Sequence, residues 1–173
     1  MTQNATRVIV GVSGSLAGLA ALRAAVAEAR LRDAELIAVR AWAFKASWRE
    51  SGTRIWRQEI ANQAARALTD AFDTAMGGPP TDIAVQMIVA EGLPERVLVE
   101  HANQVDDLLV VGAPASGLWH PTRTLVVRYC ARHARCRLLV VPPPELSRLG
   151  KTGAMARHLR READGIARSL SSH

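Results

Sequence analysis

The sequence predicts an α/β domain built on a parallel sheet with helices on both faces, and three observations predict it. Five short runs rich in Val, Ile and Leu recur along the chain, each bounded by a turn or a loop. These runs are continuously apolar instead of alternating, the pattern of strands buried on both sides. The segments between them have the composition and spacing of helices, so strand and helix alternate as a doubly wound sheet requires.

The first run, Arg7-Val-Ile-Val-Gly-Val12, leads into the turn Ser13-Gly-Ser15. Leu16 to Arg32 is rich in Ala, Leu, Arg and Glu and lacks proline, and Ser13 or Ser15 is placed to cap it, which predicts a helix. The second strand is expected over Ala34–Ala41, before a polar segment with Trp42, Trp48 and Trp56 that more readily cover core or dimer surface than stack on a ligand. A helix from about Arg54 to Met76 should stop at Gly77-Gly-Pro-Pro80. Strand three is expected over Asp82–Val89. After Glu91-Gly-Leu-Pro94, residues Glu95 to Gln104 form a short amphipathic helix with proline at its first position. Leu108–Val111, a loop from Gly112, a helix near Thr124 to Ala134, and the strand Arg137–Val141 complete the set.

General rules for crossovers place the switch point beside the first strand and give the order 3-2-1-4-5 in a Rossmann-like sheet. Ligands in such sheets gather outside the strand C-termini. The expected cleft is bounded by Ser13 to Ser15, Ala41 to Ala43, Glu91 to Pro94 around Gly92, and Gly112 to Thr124. A chain of 173 residues with 49% hydrophobic content supports one well-buried core, here residues 1–144, and residues 145–173 form a separate basic tail. In that tail Met155, Leu159, Ile166 and Leu170 make one apolar stripe, which predicts a docking helix.

Charge narrows the function classes. The net charge is +6, and the tail carries six Lys/Arg against three Asp/Glu. No acid lies between Asp107 and Glu145, while Arg123, Arg128, Arg132, Arg135 and Arg137 fall inside that stretch. Arg128, Arg132 and Arg135 have the spacing of one helix face, open to a solvated-surface or a partner-binding reading. With one tyrosine, two phenylalanines and no aromatic-basic interleaving, no specific nucleic-acid partner is expected. No stretch is long and apolar enough to span a membrane, and no signal core precedes the first strand, so a cytoplasmic protein is expected. Cys130 and Cys136 fit neither a zinc site nor a redox motif and read as reduced residues of a helix and the core.

Catalytic patterns are missing as well. Ser13, His101, His120 and His133 do not assemble into a Ser-His-acid triad on spacing, and there is no Gly-x-Ser-x-Gly elbow. Glu91 and Asp106-Asp107 read as loop solvation and capping. His120, beside Trp119, is the one histidine of the expected cleft, with no role assigned by the sequence.

The segments "VIVGVSGS", "EGLPERVLVEHANQVDDLLVVGA" and "RHARCRLLVVPPP" resemble, in order and spacing, the signature regions of the universal stress protein family, over about residues 7 to 143. The resemblance implies a five-stranded doubly wound domain, usually dimeric, in a family of which one branch binds ATP. That branch has an acid after the first strand and a Gly-x-x-Gly, nine residues, Gly-Ser/Thr pattern after the fourth. Here Ser13 replaces the acid, Gly112 matches the first glycine and Ala115 stands for the second. Thr124-Leu125, or Leu125-Val126 in the other register, replaces the Gly-Ser/Thr pair. Ala115 limits close backbone approach to a phosphate, and Trp119 and Pro121 are bulky or lack a donor. Gly117, Arg123, Thr124 and the helix N-terminus still offer a smaller anion a place.

The resemblance therefore implies a non-catalytic domain of the stress response with no cofactor expected and a cleft diverged from ATP. Two alternatives stay open: a sensor or weak ATPase that binds ATP or another nucleotide, and a scaffold whose arginine face and basic tail bind a protein partner. The last strand, Arg137-Leu138-Leu139-Val140-Val141, lies at a sheet edge and is expected to pair with its copy in a homodimer.

Overall fold

A computed structural model describes residues 6–43, 54–113 and 121–144, with the backbone alone at 54–55 and 121–124. The chain order is β1 (Arg7–Gly11), α1 (Leu16–Arg32), β2 (Glu35–Trp42), α2 (Arg54–Met76), β3 (Val85–Glu91), α3 (Pro94–His101), β4 (Leu108–Gly112), α4 (Pro121–His133) and β5 (Arg137–Val141). All pairings are parallel and the sheet runs β3-β2-β1-β4-β5. The expected architecture and strand order are those observed.

The continuously apolar strands fill two cores, one on each face. Val8 and Val10 of β1, Leu36 and Ala38 of β2, and Leu108 and Val110 of β4 pack with α1 and α2, around Leu22, Val26 and Phe72. Ile9, Ile37, Val39, Leu109 and Val111 point the other way, onto Val97 and Leu98 of α3 and Cys130 of α4. The two-residue period of a strand divides each run between the layers.

Helix ends follow local chemistry. Ser15 caps α1, its hydroxyl accepting from the Gly18 amide at 3.1 Å. Asp33 closes the same helix in the left-handed region, φ 50° and ψ 49°, and its amide reaches the Ala29 and Arg30 carbonyls. Arg23 of α1 donates to the Ala75 carbonyl at 2.7 Å, covering the last turn of α2.

Three elements, β3, α3 and α4, depart most from the sequence expectation. Strand β3 begins at Val85, after a bend at residues 81–83 in which Asp82 pairs with Arg30 at 2.6 Å on the surface. Helix α3 starts at Pro94, as its proline requires, but stops at His101 because Ala102 takes ψ 64°. Helix α4 begins at Pro121, three residues before the expected start; proline's fixed φ suits a first helical position. It ends at His133, so Arg135 lies beyond the helix, and of the three arginines only Arg128 and Arg132 are on it, both exposed.

Asp107, expected as a solvated capping residue, is 1% exposed. It accepts Arg7 Nε at 2.9 Å and Arg7 Nη2 at 2.7 Å, and also the Gln104 amide at 2.9 Å. The bidentate pair ties the start of β1 to the start of β4, and Asp107 raises the Arg7 guanidinium above its ordinary value against the opposing effect of burial. Trp56 is 59% exposed on α2 and covers no core, while Trp48 and the tail 145–173 lie outside the described residues.

Candidate functional site

A cavity of about 460 Å³ opens at the C-terminal ends of β1, β2 and β4. It lies where the chain leaves β1 toward β2 on one side and meets β4 on the other, the switch point of the sheet. Its floor is Gly11, Val39, Val111 and Gly112 at the strand ends. Leu93, Pro94 and Leu98 of the α3 side and Leu125 and Val126 of α4 form an apolar wall, and the first turn of α1 closes the remaining side.

Glycines allow the elements to approach so closely. A β-carbon at Gly112 would fall 2.6 Å from the Ala17 carbonyl oxygen, so α1 rests its backbone directly on the end of β4. At Gly11 a β-carbon would stand 2.8 Å from Leu98 Cδ1. Gly18 faces Ser13 so tightly that any side chain there would collide with the Ser13 carbonyl and hydroxyl.

Ser13, at the position where the family resemblance expects an acid, lines the cavity, and its hydroxyl meets the Ser15 hydroxyl at 2.9 Å. Ser15 is also the helix cap, so the two hydroxyls form one short relay ending at the Gly18 amide. The charged side chains of the wall are Arg40 from β2 and Glu95 from the first turn of α3. Among the described residues Arg40 has one hydrogen bond, from Nη1 to the Val12 carbonyl at 3.5 Å.

Of the sequence-predicted site residues, Ser13, Gly112 and Leu125 meet in the cavity wall. Gly92 is not part of that wall; it shapes the turn into α3. Its φ is +152°, its amide donates to the Trp42 carbonyl at 2.8 Å, and a β-carbon would press on Val97 Cγ2 at 2.9 Å. Thr124 falls in the first turns of α4, with its side chain outside the described residues. Ala115, Gly117, Trp119 and His120 also lie outside them, as does the Arg123 side chain. Sequence reasoning missed Arg40 and Gly18. Each carried a signal: a cation inside an apolar strand, and a glycine inside an Ala/Leu-rich helix.

Both cysteines are free. Burial, with smaller contributions from Glu95 and Cys136, pushes the Cys130 thiol up to about 11. Burial also raises the Cys136 thiol. Neither is a ready nucleophile at neutral pH. His101 and His133 are occupied by their own helices, with Nδ1 at 2.8 Å from the Val97 carbonyl and 2.9 Å from the Tyr129 carbonyl. Among the described residues no three His, Cys, Asp or Glu side chains gather to hold a metal ion, and no helix is long and apolar enough to cross a membrane.

A doubly wound α/β sheet with a cleft at its switch point defines a Rossmann-like class of fold. Residues 4–142 match the model of the Universal stress protein family. The chain belongs to the universal stress protein family.

Solved structures share the fold. The universal stress protein UspA from Lactobacillus plantarum superimposes with a TM-score of 0.61 at 22% identity, over 79% of this chain and 97% of that one. A universal stress protein in complex with cAMP is 26% identical with a TM-score of 0.51, over 81% of this chain and 98% of its own. The protein MJ0577 is 16% identical with a TM-score of 0.64, over 80% and 96%. None of the curated proteins compared with the chain matches it.

Proposed function

We propose that the chain is a non-enzymatic ligand-binding domain of the stress response, homodimeric through β5, whose cleft has diverged from ATP and takes a smaller nucleotide. The observation that carries this reading is the state of Ser13. The cleft is open and about 460 Å³ in volume, but at the point where an acid is expected stands a serine whose hydroxyl is engaged with Ser15. A contact that needs a carboxylate is therefore lost while the space for a nucleoside remains.

The sequence adds two further departures, Ala115 for the second loop glycine and Thr124-Leu125 for the Gly-Ser/Thr pair, both on the side where a triphosphate would lie. The similar structure that holds cAMP supports a nucleotide with a single phosphate. Burial of Cys130 and the local engagement of His101 and His133 favour binding over catalysis.

Calorimetry with ATP and cAMP tests the reading. Binding of cAMP with ATP weak or undetectable is the expected result. ATP affinity at or below about 1 μM, roughly 8 kcal/mol, would overturn it.

A further inference from the structure

We infer that the corner where α4 turns into β5 is a docking surface for a short acidic protein segment, held by Arg128, Arg132, Arg135 and Arg137. The turn lies at the N-terminal end of the strands, opposite the cleft, so the inference does not depend on what the cleft holds.

Arg128 and Arg132 are four residues apart on α4, and both are exposed. A connection of three residues, Ala134 to Cys136, leads from α4 into β5; Arg135 within it and Arg137 at the start of the strand are exposed too. So short a connection keeps the four guanidinium groups at one corner of the molecule. Arg137 precedes Leu138–Val141, the residues proposed to pair in the dimer, so that contact leaves the corner open. Arg7, Arg30, Arg32 and Arg57 each stand within 4.0 Å of a carboxylate, but none of these four does so, or makes a hydrogen bond, among the described residues. The negative end of the α4 dipole accounts for a cation at Arg132, in the last turn. Arg128 is more than a turn from that end, and its like charge four residues from Arg132 works against the helix. Cations that oppose the fold and meet no carboxylate within it complement one from outside.

The guanidinium fork fits carboxylates and phosphates alike, and the surroundings choose between them. Acids border the corner on two sides. Glu100 is exposed in the last turn of α3, which packs against α4, and exposed Asp106 comes two residues before β4, the neighbour of β5. A long polyanion crossing the corner meets these charges, whereas a few consecutive carboxylates fit between them. Tyr129 and His133 stack on each other, with ring centroids 4.0 Å apart and an interplanar angle of 17°, which occupies one face of each ring that a nucleobase would use. Among the described residues no exposed large apolar side chain falls within 128–137, so the corner has no anchor for a lipid bilayer.

The test measures binding of the full chain to a labelled polyglutamate peptide by fluorescence anisotropy, beside a labelled single-stranded oligothymidylate and phosphatidylserine vesicles at the same low salt. The wild type should bind the peptide more tightly than either, with an affinity that falls as salt rises. R132Q should weaken peptide binding about threefold, and R128Q combined with R132Q about tenfold. R66Q, which removes the same charge from an exposed position of α2, should leave it unchanged. Equal weakening by R66Q and R132Q would show that net charge alone attracts the peptide and overturns the inference. A wild type that leaves the peptide unbound, or that prefers the oligonucleotide or the vesicles, overturns it as well. Should the double variant fail to fold, R135Q in the turn takes its place: a loss of about threefold supports the corner, and no loss overturns it.

Discussion

Gly112 and Ala17 meet backbone to backbone: a β-carbon at 112 would sit 2.6 Å from the Ala17 carbonyl oxygen, 2.7 Å from its carbon and 3.0 Å from the Gly18 nitrogen. The glycine that sequence comparison reads as a phosphate-loop residue thus has a second task, setting the distance between β4 and the first turn of α1. Those neighbours are main-chain atoms of a capped helix and cannot swing aside. Gly112→Ala should cost about 1–3 kcal/mol of stability through this overpacking and narrow the cleft floor. Urea unfolding checks it, and an unchanged midpoint would show that α1 shifts freely.

The Arg7–Asp107 pair carries a different kind of prediction, because it joins two strand starts 100 residues apart in sequence. The Asp107 carboxylate is almost fully buried, and its removal takes from Arg7 its carboxylate partner and from the Gln104 amide its acceptor. Arg7 is partly exposed and keeps Asn103 Oδ1 and the His101 carbonyl as acceptors, so Asp107→Ala should cost about 1–3 kcal/mol. Replacing both partners, Arg7→Met with Asp107→Leu, should cost less than the single change, since no charge is then stranded. Equal losses in the single and the double variants would argue against the pair as their cause.

Which parts of this structure were legible in the sequence follows from the range of the forces involved. Helix α1, helix α2 and strand β5 have the bounds that composition, caps and breakers imply, because local chemistry sets them. The start of β3 was not legible: residues 81–83 bend instead of pairing, and Asp82 meets Arg30, 52 residues away, at the surface. Pro121 was read as a loop residue, yet proline serves equally at a first helical position, and only tertiary placement decides. In the cleft, Ser13 and Gly112 were visible through their turn and strand context. Arg40 stood out as a cation inside an apolar run, but the sequence does not say whether such a charge at the open end of a buried strand faces a cleft or the surface. Gly18 was hidden for a related reason: its neighbour is the carbonyl of Ser13, a contact made only once the turn folds back on α1.

Cys130 should report on the integrity of the second core. Its thiol is fully buried and raised to about 11 from 9.0, chiefly by burial. The folded state therefore holds the proton where the unfolded chain releases it. This contribution to stability is complete below about pH 9 and is lost as pH rises toward 11. Cys130→Ala should flatten the alkaline fall in unfolding free energy by on the order of 2 kcal/mol across that window, whatever its own cost at neutral pH. Parallel slopes for the variant and the wild type would show that other groups govern the alkaline limb. At pH 8 a thiol reagent should leave Cys130 untouched until the protein unfolds.

The dimer expected from the sequence finds its strongest argument in the two sides of β5. On one side the strand pairs with β4 in register from Leu108 opposite Arg137 to Gly112 opposite Val141; on the other it has no partner strand among the described residues. An apolar edge of that kind invites a second strand unless something blunts it. Arg137 at one end and Pro142-Pro-Pro144 at the other limit pairing to the four residues Leu138–Val141, which favours one closed two-fold contact over open sheet growth. Val140 is 38% exposed in the single chain, an apolar side chain waiting at that edge. Light scattering should report a dimer that persists on dilution. Val140→Glu should convert it to a monomer with an unchanged circular dichroism spectrum, because the two-fold axis brings like charges together at the same edge. A wild type that is monomeric at every concentration, or an equally stable dimer of the Glu variant, would place the contact elsewhere or remove it.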